Sequence, residues 1–215
     1  MHHNPALTTL ITTLASIPSP PDAINMYAGD DPPGNAIRRA NLALALHLAQ
    51  QRGPDLIIVG EAPGYHGARR TGVPFTSERI LLADEGQFGV ARGFALATDD
   101  GRISAEQTAT LVYRELAALG LSAVGWNAYP LHPHRPGNDQ SNRLPRAAEL
   151  ALGRPLLMQM LALFPGVPVV AMGRVAAAML IALEVPHHAV RHPAQGGARS
   201  FAEGLRAFTL RRLPG

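Results

Sequence analysis

The residues with chemistry to offer fall into three short stretches. The first, GEAPGYHGARRTGVPF from Gly60 to Phe75, adds the Glu61 carboxylate to a loop rich in glycine. Glycines at 60, 64, 67 and 72 permit positive φ and close backbone approach, and such a loop can cradle an anion with its N–H groups. It lacks a Gly-Lys-Ser/Thr ending, and no GxGxxG follows the preceding apolar run, so neither a nucleotide-triphosphate loop nor a dinucleotide fold is expected. The second stretch begins at Asn127, whose carboxamide both donates and accepts hydrogen bonds. The third, RHPAQGG from Arg191, presents His192, whose imidazole can both donate and accept a hydrogen bond. Taken singly, each has a plainer reading: Phe75 as a core aromatic, Asn127 as a turn cap and His192 as a surface turn residue before Pro193.

Composition narrows the chemistry further. The 215 residues suit one domain, 1–215, with a less certain helical and loop segment at 1–35. There is no cysteine, which excludes disulfides, thiolate catalysis and cysteine-held metals. There is also no lysine, so all 19 basic side chains are arginines and no side-chain amine can form a Schiff base. The formal charge of +3 is weak evidence for a nucleic-acid partner by itself. A mean hydropathy near zero reads as soluble, and no apolar run approaches the roughly 18–20 residues that span a bilayer. The Met1-His2-His3-Asn4 start has neither a charged leader nor an apolar core, so a cytoplasmic location and no membrane partner are expected.

These stretches need elements to hold them. Apolar runs at 56–59, 122–126, 167–172 and 189–191, the last with a start as early as His187, read as strands. Helical patterns separate them. They cover 5–16, 35–51 capped by Asn35, 77–84, 104–119 with a Ser104/Gln107 capping box, 145–164 broken at Gly153–Pro155, 174–183 and 199–211. Alternating strands and helices predict an α/β fold, a three-layer αβα arrangement around a mostly parallel four-stranded sheet. Ligands in such sheets bind beyond the carboxyl ends of the strands. The loops leaving those ends are Glu61–Phe75, Asn127–Asn142, Gly173–Arg174 and His192–Gly197, and they hold the stretches above.

GEAPG after an apolar strand, with a PF pair closing the loop, resembles the first motif of the iron–sulfur-type branches of the uracil-DNA glycosylase superfamily. HGARRTGVPFTSER is especially similar to the broad-specificity branch. WNAYPLHPHRPGNDQSNRLPR is similar to the Asn-bearing loop, and RHPAQGG to the closing His-Pro motif. The resemblance covers about residues 55–208. It implies an enzyme that flips uracil, with other deaminated bases as a further option, out of single- or double-stranded DNA. Such an enzyme hydrolyses the N-glycosidic bond and leaves an abasic site, acting as a monomer without cofactor or metal; the absence of lysine makes it monofunctional. Gly60, Ala62 and Gly64 would line the base pocket, Phe75 would stack on the base, and Asn127 would read N3–H and O4. His192 would stabilise charge on O2. The alternative is a lesion-binding module with weak turnover.

The sequence also departs from that family. Without cysteine the chain must be cluster-free. The usual water-positioning Asp is replaced by Ala62, leaving Glu61 as first choice, and the methyl-excluding Tyr by Gly64. Gly196 stands where a bulky wedge would fill the gap left by the flipped base, so Gln195, Arg199 or an arginine from another loop would have to serve. Arg69, Arg70, Arg135, Arg143 and Arg199 are the candidate phosphate contacts. His132 and His134 lie two apart, but no further ligand stands at a convincing spacing, so no metal site is expected.

Overall fold

Strand β2 (Leu56–Gly60) is buried along its whole length, and its side chains divide by parity. Leu56 and Ile58 pack with Val112, Leu116, Phe201 and Leu205 on one face, while Ile57 and Val59 pack with Leu42, Leu157 and Leu180 on the other. That is the signature of a central strand covered on both faces, which needs β-branched and aliphatic residues at every position. A computed structural model describes residues 4–29, 33–83 and 88–210.

Beside β2 run β3 (Ala123–Asn127), β5 (Val169–Met172) and β6 (His187–Val190), in the order β3-β2-β5-β6 with every pairing parallel. Helices α1 (Pro5–Ser16), α2 (Pro33–Arg52), α6 (Ala147–Ala162) and α7 (Arg174–Ala182) cover one face; α5 (Gln107–Ala118) and α8 (Ala198–Leu210) cover the other. The three-layer αβα expectation holds. Between β2 and α5 the described residues include two short α-helices, α3 (Ala68–Thr71) and α4 (Glu78–Leu82), and a 3-10 turn at Val90–Arg92. Asp84 and Arg211, the expected ends of two helices, lie outside the described residues.

Three local expectations need correction. Helix α6 is not broken at Gly153–Pro155 but runs through Pro155. Burial of Leu156, Leu157 and Met160 against the sheet outweighs the backbone hydrogen bond that proline removes. Ser104 does not cap α5, which starts at Gln107 behind Glu106. Instead the Ser104 N–H donates to Glu78 Oε2 at 2.8 Å, and its carbonyl accepts from Arg79 N at 3.0 Å. Asn35 lies inside the first turn of α2, where its Oδ1 accepts from Arg38 Nη1 at 2.7 Å.

The antiparallel pair of β1 (Ala23–Ile24) with β4 (His132–Pro133) had no sequence signal. It ties the N-terminal segment to the loop after β3. That segment also braces the first loop: the Tyr27 hydroxyl donates to Gly72 O at 2.7 Å, and Asn41 Nδ2 donates to Thr71 O at 2.9 Å.

Gly153 shows how tightly α6 meets that loop, since a Cβ there would sit 1.9 Å from Ala128 O. Such overlap costs about 1–3 kcal/mol, against a helix-propensity gain of no more than about 1 kcal/mol. Because the opposing atom is backbone, Gly153→Ala is expected to lower the denaturation midpoint in urea.

Candidate active site

The parallel register places Gly60 opposite Asn127 and Met172 opposite Val190, and β5 pairs with β2 one residue earlier, Val59 with Ala171. Asn127, Gly60, Met172 and Val190 therefore share one row at the carboxyl edge of the sheet. Above that row opens a cleft of ≈ 760 Å³, lined among others by Glu61, Phe75, Asn127, His192 and Gln195. It lies above the adjacent strands β2 and β5, whose outgoing connections run to opposite sides, to β3 and to β6, the position expected for a ligand site in an open parallel sheet.

Phe75 forms the floor. Its backbone is left-handed, with φ 57°, a conformation that costs a non-glycine residue about 1–3 kcal/mol and concentrates at functional sites. The ring lies directly on the strands: a Cβ at Gly60 would meet its Cζ at 2.7 Å, and one at Gly125 its Cδ2 at 2.6 Å. Only glycine at both positions lets an aromatic plane lie so close to the sheet. The same Gly60 position is 3.0 Å from Asn127 Oδ1, so carboxamide and ring are immediate neighbours. Asn127 is buried, and its side chain has no hydrogen-bond partner among the described residues.

His192 packs against Gly173, where an added Cβ would lie 3.4 Å from its own Cβ. The Ala194 N–H donates to its Nδ1 at 3.1 Å. That bond makes Nδ1 an acceptor, so a neutral ring carries its proton on Nε2. Burial, and secondarily the charge of Arg191, hold the imidazole pKa below its ordinary value, which favours this neutral state.

Glu61 lines the same cleft, and burial raises its carboxyl pKa. A second carboxylate escaped the sequence reading. Glu106, the residue before α5, also faces the cleft, and its pKa is pushed up to about 7 by burial. Gly64 and Gly67 make room for it: a Cβ on Gly67 would lie 1.9 Å from Glu106 Oε2, and one on Gly64 3.1 Å from Oε1. Its carboxylate has no hydrogen-bond partner among the described residues. The available signal was topological. A helix that returns antiparallel to its strand starts at the carboxyl edge of the sheet, so its N-terminus joins the site.

The arginines redistribute. Arg69 binds Asp139 O and Oδ2 at 2.8 and 2.6 Å; Arg70 is held by Glu78, Asp100 and Thr98; Arg143 is held by Glu149 and Asp22 O. Of these three only Arg143 borders the cleft. All three brace loops, a consequence of nearby acids that spacing did not reveal. Arg135 and Arg199 are exposed outside the cleft, Arg199 pairing with Glu203 at 2.8 Å. Arg174 and Arg191, at the ends of β5 and β6, line the cleft with side chains unpaired among the described residues. Ala62 and Gly64 also line it, whereas Gly60 lies beneath the Phe75 ring.

His132 is fully buried, its Nδ1 2.8 Å from Pro63 O and its Nε2 3.2 Å from Asp139 O. It therefore latches the first loop to the second. Among the described residues no cluster of His, Asp and Glu could hold a metal ion. No helix among them is long and apolar enough to cross a membrane.

Compared with known families, residues 48–209 match the model of the uracil DNA glycosylase superfamily. No curated protein matches the chain.

Proposed function

The chain belongs to the uracil DNA glycosylase superfamily, and from that premise we propose that it is a monofunctional glycosylase releasing uracil, or a related deaminated base, from DNA. The observation that carries this reading is the company Asn127 keeps. An unpartnered buried carboxamide beside an aromatic floor, in a cleft also reached by a neutral histidine, matches the needs of a flipped pyrimidine.

The base would stack on Phe75, with its N3–H donating to Asn127 Oδ1 and its O4 accepting from Nδ2. His192 Nε2–H would donate to O2 as the C1′–N1 bond breaks and the electron pair moves to the base. The sugar, then oxocarbenium-like, is attacked at C1′ by water, whose proton passes to a carboxylate. Glu61 and Glu106 both line the cleft; Glu106 is the better placed, because two glycines clear its position. That carboxylate favours turnover over binding alone, despite Ala62. Arg174 and Arg191 are the proposed phosphate contacts at the rim. With no lysine, the abasic strand is left uncut.

A labelled uracil oligonucleotide tests the reading: strand breakage only after alkali supports it, while tight binding without an abasic product refutes it. Asn127→Ala is expected to lower uracil release by about 10²-fold or more, because the base edge loses both partners. Asn127→Asp should shift preference towards cytosine, measured on matched uracil and cytosine oligonucleotides.

A further inference from the structure

A flipped nucleotide leaves a gap in the base stack, and Gly196 brings no side chain to fill it: its φ is +76° and no atom lies within 4 Å of an added Cβ. The opposite lip of the cleft supplies one. Leu144 is 66% exposed, and among the strongly exposed large apolar side chains of the described residues it alone lines the cleft. Ile181 and Leu210 are as exposed, at 67% and 70%, but lie away from it, so position rather than exposure singles out Leu144.

Its backbone is unusually well held for an exposed loop. The preceding Arg143 donates to His134 O at 2.8 Å, Asp22 O at 2.9 Å, Glu149 Oε2 at 2.7 Å and Leu144 O at 3.0 Å. Pro145 follows, and then Arg146, whose N–H donates to Glu149 Oε2 at 2.6 Å at the start of α6. Only two side-chain torsions remain free, so ordering Leu144 on binding costs little entropy.

β3 and β6 are the two edges of the sheet. Three strand spacings, about 14 Å, separate the strands from whose carboxyl ends the Leu144 and Gln195 loops depart. Gln195 is itself exposed at the cleft, with a left-handed φ of 54°. We propose that Leu144 is the wedge that enters the base stack of duplex DNA as the target nucleotide leaves it, with Gln195 closing the gap from the facing lip. An apolar side chain between base steps offsets lost stacking, a need that a single strand largely lacks. The inference rests on the glycosylase reading and makes double-stranded DNA the substrate this site is built to open.

The full chain, its Leu144→Ala variant and its Leu144→Phe variant would be assayed in single turnover on uracil in a duplex and in a single strand. A 2-aminopurine beside the uracil reports unstacking. Leu144→Ala is expected to lower the ratio of duplex to single-strand rates by about tenfold or more and to reduce the duplex 2-aminopurine signal, with Leu144→Phe restoring both. An unaltered ratio in Leu144→Ala, or a wild-type chain that releases uracil only from single strands, would overturn the wedge. A wild-type chain releasing no uracil from either substrate would instead sink the activity on which it rests.

Discussion

His192→Ala is expected to slow uracil release by about 10²–10³-fold in single turnover while changing the affinity for uracil-containing DNA far less. The reason is the hydrogen bond from Ala194 N–H to Nδ1, which fixes the proton on Nε2 before substrate arrives. A donor already oriented acts on charge that exists only as the bond breaks, so its loss falls on the chemical step and not on binding. Burial and the neighbouring Arg191 keep the ring pKa below its ordinary value, which favours the neutral ring that this role requires. Full single-turnover activity in the alanine variant would remove His192 from the mechanism.

Glu106→Gln carries the second large effect, and it acts on two measurements in opposite directions. If the ionised carboxylate accepts the water's proton, the rate should rise with pH through about 7 in the parent chain. The glutamine variant should lose that limb and fall by about 10²–10⁴-fold at pH 8. Glu61→Gln is the control; should it remove the limb instead, Glu61 holds the role.

Stability should move the other way. The folded-state pKa, about 7, lies above the ordinary 4.5, so the folded chain binds the Glu106 proton more tightly. That contribution is fully present below pH 4.5 and is lost as pH rises through about 7. Glu106→Gln should therefore melt higher than the parent at pH 8 and lose that advantage near pH 4.5. A lower melting temperature at pH 8 would mean the carboxylate is stabilised by a partner and is not simply desolvated.

The fate of the arginines shows where spacing stops being informative. Arg69, Arg70 and Arg143 stand in or beside the right loops, yet each is taken up by an acid: Asp139 and Asp100 come from distant loops, and Glu78 and Glu149 lie on the helices that follow. Ion pairing depends on which loops come together, which local sequence does not encode. Arg174 and Arg191 had the better topological credentials, one at the end of each later strand. Glu106 was hidden for a related reason. It sits before a helix, far from the glycines that receive it, and nothing within its own segment marks it as part of a site.

What the sequence determined by itself was periodic and local. Four short apolar runs separated by helical patterns dictated a parallel sheet, and the rule that ligands bind at strand carboxyl ends then placed Phe75, Asn127 and His192 together. The absence of lysine and cysteine removed whole chemistries without any coordinates. Tertiary structure decided the rest. It laid the Phe75 ring over Gly60 and Gly125, set the His192 proton on Nε2, brought Glu106 beside Gly64 and Gly67, and left Leu144 bare on a pinned backbone. The His192–Ala194 bond spans only two residues, but it forms on a loop that the sheet edge positions; the others depend on contacts between residues distant in sequence, which the chain specifies only by folding.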